Sequence, residues 1–301
     1  MYKIYFIIIL LIFSIVFVER YLIETNRDNN DWGIRFINAE TFWSKGITGK
    51  GIKIAILDSG IYTDHLDLGP KIKKGVNFVN KDQLPIDDGD HGTLIAGIIS
   101  AKHNNIGVDG IAPDANIYPL KVLDRWGNGE IGHVTEAIYW CIDNNIDIIN
   151  MSFAIAENSL ELNRAVRRAL DENIIVVAAA MNSYGNDVGY PAAYDGVISV
   201  TAIDSKSNLS ETAPYGKVDF SAPGVKVLST SNSNDYRYAS GTSIATPYIS
   251  GIIALLLQKD SSARLDIYKE LQTYVVDLGI RGKDPYYGEG TIFLTKRKGE
   301  E

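Results

Sequence analysis

Four polar residues of this sequence have the chemical types used in acyl transfer, and each stands at the edge of an apolar segment. They are Asp58 in IAILDSGI, His91 in DDGDHGTLIAG, Asn182 in VVAAAMNSYG and Ser243 in SGTSIATPYIS. A serine hydroxyl becomes a nucleophile when an imidazole takes its proton, and the imidazole needs an acid to orient it. A side-chain amide can donate a hydrogen bond to the oxyanion that forms. The set therefore predicts nucleophilic acyl chemistry.

Each residue also has a simpler interpretation when it is taken alone. An aspartate is common at a strand end, a histidine packs at helix starts, an asparagine favours turns and a serine caps helices. Gly241, two residues before Ser243, favours the chemical interpretation because it lets another backbone approach closely. The four residues together are far more specific than any one of them, since all fall at a strand end or a helix start.

The segments that must position these residues alternate between two patterns. Short runs rich in Ile and Val predict buried strands at residues 52–57, 117–122, 146–151, 174–179 and 197–202. Their continuous apolar character is typical of parallel strands covered on both faces. Apolar residues three and four apart predict helices at 92–100, 131–144, 159–172 and 243–258. This alternation predicts an α/β fold, a doubly wound and mainly parallel sheet flanked by helices, with ligands bound beyond the carboxyl ends of the strands.

The composition limits the function further. The chain has 301 residues, of which 46% are apolar, and a net charge of −8. An acidic chain of this kind disfavours nucleic-acid binding, because phosphate recognition needs a basic surface. The single cysteine, Cys141, excludes an internal disulfide and a four-cysteine zinc site. Since Cys141 lies in the apolar face of AIYWCIDNN, we expect a buried thiol rather than a catalytic one.

The N-terminal region predicts the cellular location of the protein. Residues 5–18 (YFIIILLIFSIVFV) are uncharged, follow Lys3 and are fewer than the ~20 residues of a typical membrane span. Because no small-residue cleavage site is evident, the pattern favours an uncleaved signal-anchor. A cleaved signal peptide is the alternative. We therefore divide the chain into an N-terminal segment with a short polar linker (1–30), one catalytic domain (31–294) and a charged tail (295–301).

The motifs DSG around Asp58, HGT around His91 and GTSIATP around Ser243 resemble the three active-site motifs of the subtilisin-like serine protease (subtilase) family. The resemblance runs from about residue 32 to residue 294. It implies the subtilisin-like fold and a serine endopeptidase that hydrolyses peptide bonds through an acyl-enzyme. By the same resemblance Asp58, His91 and Ser243 form the triad, and the Asn182 side chain with the Ser243 backbone N–H binds the oxyanion.

The resemblance also implies a cleft that binds an extended peptide beside strand edges. By this resemblance, a set of residues forms the walls and floor of that cleft. The set is Leu120, Gly127, Ser152, Phe153, Ala154, Ala179, Ala180, Met181 and Gly189.

Two cleft positions depart from the family pattern. Ala154 and Met181 stand where glycine is common, and both add bulk beside the pocket for the residue before the scissile bond. We therefore expect a narrower and more selective enzyme. Ser183 stands where many relatives carry an acid, which disfavours a basic residue at that pocket.

No cofactor is expected to be required for catalysis. Asp67 matches a calcium ligand of the family and Asn105 falls in the matching loop, so a structural calcium ion is one expectation. The alternative is an ordinary exposed loop, because HNNIGV is about one residue shorter than the best calcium loops.

Three functions remain open at this stage. The first is a membrane-tethered or secreted processing protease of restricted specificity, acting outside the cytoplasm of a bacterium as a monomer on a peptide or protein substrate. The second is a general secreted degradative protease. The third, a catalytically silent binding protein on the same fold, is disfavoured by the intact Asp58, His91 and Ser243. Only about ten polar residues follow the apolar segment, so we expect no folded pro-region between it and the catalytic domain.

Overall fold

The computed structural model describes residues 32–295. The apolar segment at residues 5–18 and the tail after residue 295 therefore lie outside the described residues. Within residues 32–295, no helix combines the length and the apolar character that a membrane crossing needs.

A nine-stranded sheet forms the centre of the molecule, in the order β10-β11-β7-β6-β5-β4-β1-β3-β2. Every neighbouring pair is parallel except β10 and β11. The strands are β1 Lys53–Asp58, β2 Val76–Asn77, β3 Asn116–Lys121, β4 Ile148–Met151, β5 Ile175–Ala179, β6 Ile198–Ile203, β7 Phe220–Pro223, β10 Val275–Val276 and β11 Thr291–Ile292. The mainly parallel sheet confirms the predicted fold class.

The remaining elements surround or extend this sheet. Two strands, β8 and β9, form a separate antiparallel pair. They are β8 Val227–Thr230 and β9 Tyr236–Ala239. The helices are α1 Trp32–Ile37, α2 Glu40–Trp43, α3 His91–Ser100, α4 Ile131–Asp143, α5 Leu160–Asp171, α6 Thr242–Lys259 and α7 Ile267–Gln272, with a 3₁₀ helix at Ser261–Asp266.

Alternation along the strands divides the core into two layers. One layer packs against α1, α3 and α6, and the other packs against α4 and α5. Strand residues of the first layer include Ile54, Ile56, Ile117, Ile148, Ile175 and Val177, and those of the second include Ala55, Leu57, Leu120, Ile149 and Val176. Because both faces of the sheet are covered, most strand residues are apolar, which is the pattern that the sequence shows.

The helix α6 is almost entirely enclosed. Of its 18 residues, Ser243, Gln258 and Lys259 alone are not buried. At its C-terminal end, the Gln258 side-chain oxygen accepts hydrogen bonds from the backbone N–H groups of Thr48, Gly49 and Lys50. The chain that enters β1 is thereby fixed to the helix whose other end carries Ser243.

Candidate active site

Asp58 and His91 are in direct contact at the carboxyl edge of the sheet. Asp58 is the last residue of β1 and is fully buried, while His91 opens α3 with 32% of its side chain exposed. The His91 Nδ1 atom lies 2.9 Å from each carboxylate oxygen of Asp58. An ionised carboxylate only accepts hydrogen bonds, so this geometry assigns the proton to Nδ1 and leaves the Nε2 lone pair facing outward.

A second buried carboxylate, Asp87, fixes the turn that presents His91. One oxygen accepts hydrogen bonds from the Ser59 hydroxyl at 2.8 Å and from the backbone N–H groups of Gly89 and Asp90. The other oxygen accepts from the backbone N–H and the hydroxyl of Thr93. Asp87 therefore joins the turn after β1 to the first turn of α3, and the sequence analysis did not identify it.

The surroundings of His91 change the pKa of its ring. Burial alone would lower the pKa, because it disfavours the charged imidazolium. The charge and hydrogen bond of Asp58 and the charge of Asp87 outweigh burial, whereas Arg237 acts in the opposite direction. The net result is a His91 pKa above its ordinary value, so the site favours the protonated form that appears during acyl transfer.

The Asn182 side-chain amide is fixed by two hydrogen bonds to its oxygen. Its Oδ1 accepts a hydrogen bond from the Thr242 backbone N–H at 3.0 Å and another from the Thr212 hydroxyl at 3.1 Å. With the oxygen engaged, the NH₂ group remains available as a donor. Asn182 is exposed, so this donor is accessible from the cleft. Thr212 lies 30 residues downstream and carried no sequence signal for this role.

Ser243 is the second residue of α6 and is partly exposed. Its hydroxyl has no hydrogen-bond partner anywhere in residues 32–295, and there the His91 ring bonds to Asp58 alone. Gly241 caps the helix with φ 141°, a conformation that glycine tolerates. The first N–H groups of α6 point towards this end and carry the positive pole of the helix dipole.

The topology brings these groups to one edge. Asp58 ends β1, and Asn182 follows β5 after two intervening residues, with β4 between the two strands. Neighbouring strands lie about 4.8 Å apart, so the two groups flank a gap about two strands wide. The helices α3 and α6 pack against each other and present His91 and Ser243 at this edge.

A buried polar chain joins α6 to the strand edge beside the site. The Ser250 hydroxyl donates to the Asn150 side-chain oxygen at 2.8 Å, and the Asn150 NH₂ group donates to the Ser152 hydroxyl at 2.9 Å. All three side chains are buried, and buried polar groups are costly unless they are paired. The pairing fixes the segment after β4 relative to the helix that carries Ser243.

A cavity of about 330 Å³ opens beside the Asp58–His91 pair. Of the predicted cleft residues, Gly127, Ser152 and Phe153 line it. The whole lining is Asp58, Ser59, Gly89, His91, Leu123, Asp124, Arg125, Trp126, Gly127, Ser152 and Phe153. Leu120 does not line this cavity with its side chain. That side chain is fully buried in the layer beneath α4 and α5, because it points to the inner face of β3.

The loop that forms one wall of this cavity is held by Asp124. Its Oδ1 accepts from the backbone N–H groups of Trp126 and Asn128, at 2.8 and 2.9 Å. The bond from the Asn128 backbone is the main cause of the lowered Asp124 pKa. Trp126 is left 79% exposed at the rim. An exposed indole on a fixed loop offers apolar surface to a bound peptide.

The remaining predicted cleft residues lie beyond the ends of β4 and β5. Ala179 and Ala180 are buried, and Ala154 and Met181 are partly exposed. Met181 has φ 99°, which costs a non-glycine residue about 1–3 kcal/mol. A methyl group placed on Gly189 would lie 2.8 Å from the Met181 sulfur and 3.0 Å from Cβ of Ala154. The side chains of Ala154 and Met181 therefore both lie close to Gly189.

The groups around Asp67 do not fit a calcium ion. Asp67 is fully buried, and its carboxylate accepts from Asn104 Nδ2 at 3.2 Å, from the Val108 N–H at 3.1 Å and from the Tyr236 hydroxyl at 2.9 Å. Calcium needs six to eight oxygen ligands, whereas these neighbours are hydrogen-bond donors. Within residues 32–295 no group of three His, Cys, Asp or Glu side chains could hold a metal ion. These contacts favour an ordinary hydrogen-bonded loop at Asp67 and Asn105, and a structural calcium ion there stays a prediction.

A larger cavity, of about 430 Å³, lies at the opposite edge of the sheet. It opens at the start of β5 and β6 and includes Lys217, Asp219 and Arg264. The Lys217 and Asp219 side chains pair with each other, and Arg264 pairs with Asp147. The lining of this cavity does not include Asp58, His91 or Ser243, so the cavity lies apart from the predicted catalytic residues.

Comparison with known proteins gives a consistent result. A family model described as the subtilase family matches residues 49–278. The chain is 41% identical over 272 residues to the minor extracellular protease Epr of Bacillus subtilis, covering 89% of this chain and 42% of that protein. It is 44% identical over 226 residues to a thermostable alkaline protease of Halalkalibacterium halodurans, covering 75% and 62% respectively. It is 38% identical over 267 residues to subtilisin DY of Bacillus licheniformis, covering 87% and 96%. The chain thus spans less than two thirds of the length of the first two relatives and nearly all of the third.

Proposed function

The chain belongs to the subtilase family, and from that premise we propose that it is a serine endopeptidase with Asp58, His91 and Ser243 as its catalytic triad. One observation carries the proposal. The His91 Nδ1 atom lies 2.9 Å from both oxygens of a fully buried aspartate, at the edge where Ser243 opens a helix. Such an arrangement orients an imidazole as a general base towards a nucleophile.

In the first step, the Ser243 hydroxyl attacks the carbonyl carbon of the scissile peptide bond. His91 Nε2 takes the hydroxyl proton as the new C–O bond forms, and Asp58 stabilises the resulting imidazolium through Nδ1–H. The His91 pKa, which lies above its ordinary value, favours this proton transfer.

The tetrahedral oxyanion is bound by the Asn182 NH₂ group and the Ser243 backbone N–H. The engaged Asn182 oxygen supports this role, because it turns the NH₂ group towards the cleft. Loss of one such donor typically costs about 10²–10³ in kcat, a magnitude that comes from this same family.

The intermediate then collapses. The C–N bond breaks, His91 gives its proton to the leaving amine, and Ser243 is left as an acyl ester. A water molecule, deprotonated by His91, attacks the ester, and the carboxylic product leaves with Ser243 restored. No step requires a cofactor or a metal ion.

We further propose that the enzyme processes a limited set of peptide or protein substrates. Ala154, Met181 and Gly189 meet closely beyond the ends of β4 and β5, which supports a narrow pocket. A general degradative protease is the alternative, and it would accept many residues before the cut. A silent binding protein is disfavoured because no triad residue is lost.

We propose that the enzyme acts outside the cytoplasm of a bacterium, as a monomer, held or exported by the apolar segment at residues 5–18. Export is supported by that segment and by the relative whose name includes "extracellular". The net charge of −8 disfavours nucleic acid as a partner.

A fluorophosphonate probe tests the proposed chemistry directly. The full chain is treated with the probe, and the adduct is located by mass spectrometry of peptides. We expect one adduct on Ser243, none in Ser243→Ala and strongly reduced labelling in His91→Ala. If the folded protein forms no adduct, the nucleophile is not activated and the proposal fails.

A further inference from the structure

We propose that Met181 closes the pocket for the residue before the scissile bond, so that the enzyme cleaves after glycine and alanine and excludes large side chains. The inference rests on the proposed endopeptidase function and names its substrate class. It is carried by the position of one sulfur atom and by the backbone conformation that holds it there.

The position of this pocket follows from the groups that would hold the scissile carbonyl. In the proposed mechanism the carbonyl oxygen would lie between the Asn182 NH₂ group and the start of α6. The side chain on the same substrate residue must then enter the gap between the chain that leaves β4 and the chain that leaves β5. Ala154 lies on the first of these chains and Met181 on the second.

The base of this gap is closed by backbone pairing. The Ile155 N–H donates to the Tyr190 carbonyl and the Tyr190 N–H donates to the Ile155 carbonyl, both at 2.8 Å. The Gly189 N–H donates to the Ala180 carbonyl at 3.0 Å. Gly189 is therefore the floor: it is bonded to the chain that leaves β5 and is joined to the chain that leaves β4 through its neighbour Tyr190.

The Met181 sulfur lies directly on this floor. A methyl group on Gly189 would approach the sulfur to 2.8 Å, closer than real methyl groups approach other atoms. The same methyl group would lie 3.0 Å from Cβ of Ala154. The space in which a leucine or phenylalanine side chain would end is therefore occupied by the enzyme itself. We therefore expect the pocket to accept a hydrogen or a methyl group most readily, since a larger side chain would have to displace the Met181 sulfur.

The backbone conformation of Met181 indicates a functional role for its side chain. Its φ of 99° lies in the region that favours glycine, and glycine would satisfy the same turn without strain. Strain of this kind is concentrated at functional sites, where the surrounding structure maintains it. A long side chain in a glycine conformation, pointing into the one gap beside Asn182, is best explained by exclusion of substrate side chains.

A small residue at this pocket contributes little binding energy, so another part of the cleft must select the substrate. The cavity of about 330 Å³ beside His91 provides such a part, with Leu123, Trp126 and Phe153 as its apolar lining. The preferred substrate is therefore a peptide with glycine or alanine before the cut and a large apolar side chain nearby on the amino-terminal side.

The test compares four quenched fluorescent peptides that differ only in the residue before the cut: glycine, alanine, leucine or phenylalanine. For the unmodified chain we expect kcat/KM for alanine to exceed that for phenylalanine by at least ~30-fold, since steric exclusion acts on the transition state. Met181→Gly should raise the ratio of kcat/KM for phenylalanine to that for alanine by at least ~10-fold. Met181→Leu should preserve the exclusion of phenylalanine.

A matched control separates the pocket from the backbone. Ser207 also has positive φ (64°) but lies in the turn after β6, so Ser207→Gly relieves a similar conformation without touching the cleft. We expect its cleavage profile to equal that of the unmodified chain. A profile broadened by Ser207→Gly would point to general loosening and would overturn the role of Met181.

Two kinds of failure can be distinguished. If the probe labels Ser243 but the unmodified chain cleaves after phenylalanine as well as after alanine, the inference about Met181 is wrong and the endopeptidase proposal stands. An unchanged profile in a folded, probe-reactive Met181→Gly variant has the same meaning. If Ser243 is not labelled and no peptide is cleaved, the endopeptidase proposal itself fails.

Discussion

The side-chain oxygen of Asn182 accepts a hydrogen bond from the Thr212 hydroxyl at 3.1 Å. Together with the bond from the Thr242 N–H, this contact decides which end of the Asn182 amide faces the cleft. An amide in the reverse orientation would present its oxygen to a developing oxyanion and would repel it. In the proposed mechanism Thr212 is thus a positioning residue, which acts through Asn182 and does not touch the substrate.

Replacing Thr212 with valine should lower kcat about tenfold and leave KM nearly unchanged. The change removes the hydroxyl at constant shape, and the amide loses one of its two anchors. The expected loss is smaller than the ~10²–10³ that follows removal of an oxyanion donor, because the Thr242 anchor remains. Steady-state kinetics on one peptide measure the split between kcat and KM. Thr212→Ser is the control and should retain the rate, while a change in KM alone would contradict the assignment.

Replacing Arg237 with glutamine should move the acid limb of the kcat/KM profile to higher pH. His91 must be neutral to act as a base, so kcat/KM rises as the pH passes its pKa, which already lies above the ordinary value. The Arg237 charge lowers that pKa, and its removal also leaves the charge of Asp90 unpaired. Both effects raise the pKa. Arg168→Gln, on the outer surface of α5, is the charge-matched control, and a shift to lower pH in Arg237→Gln would refute the argument.

Replacing Trp126 with alanine should raise KM about tenfold for peptides that carry a large apolar residue on the amino-terminal side of the cut. The exposed indole lines the cavity beside His91, and burial of an aromatic side chain is worth about 1.5–3 kcal/mol, of which a rim residue contributes part. The triad is not touched, so kcat should change little. Tyr139→Ala, another exposed aromatic residue but on α4, should leave KM unchanged. An equal KM in both variants would exclude Trp126 from substrate binding.

Replacing Tyr236 with phenylalanine should lower the free energy of unfolding by about 1–2 kcal/mol, because the Asp67 carboxylate loses one of its three donors. Burial and the charge of Asp67 both raise the Tyr236 pKa, so the hydroxyl remains a donor at neutral pH. Denaturant unfolding measures the change, with Tyr184→Phe at an exposed tyrosine as the control. A chelator should not shift Tm. A rise in Tm with added calcium that Asp67→Asn abolishes would show that Asp67 binds the ion.

The central strands could be predicted from the sequence almost to the residue. The predicted run at 52–57 became Lys53–Asp58, and that at 174–179 became Ile175–Ala179. A strand covered on both faces must be apolar throughout, and this pattern is visible without any knowledge of its neighbours. The helix that carries Ser243 was equally clear, because the Ile- and Leu-rich segment that follows Ser243 is long enough to exclude a strand.

The peripheral strands were not predicted. Tyr236–Ala239 pairs with Val227–Thr230, yet its side chains are mainly exposed and carry little apolar pattern. Two-residue strands such as Thr291–Ile292 depend on the sheet that they join, not on their own composition. Their formation is a property of the assembled sheet.

The supporting contacts of the site were also beyond the sequence. Asp67 and Tyr236 are 169 residues apart, and their bond forms only when the β8–β9 pair folds against the start of α3. Asp87 sits four residues before His91 but looks like any other acid in DDGD. Residue type suggests what chemistry is available, whereas long-range packing decides which atoms supply the hydrogen bonds.

The sulfur of Met181 determines how oxidation would change the activity of the enzyme. The residue after Ser243 is Ile244, and Met151 is fully buried in the core, so the accessible thioether of the described region is that of Met181, which we propose lies on the pocket floor. Peroxide would transfer one oxygen atom to that thioether, giving a bulkier and polar sulfoxide, and would itself be reduced to water. The triad would be left chemically intact. Oxidative damage would therefore change which peptides this enzyme cuts before it changed whether the enzyme cuts at all.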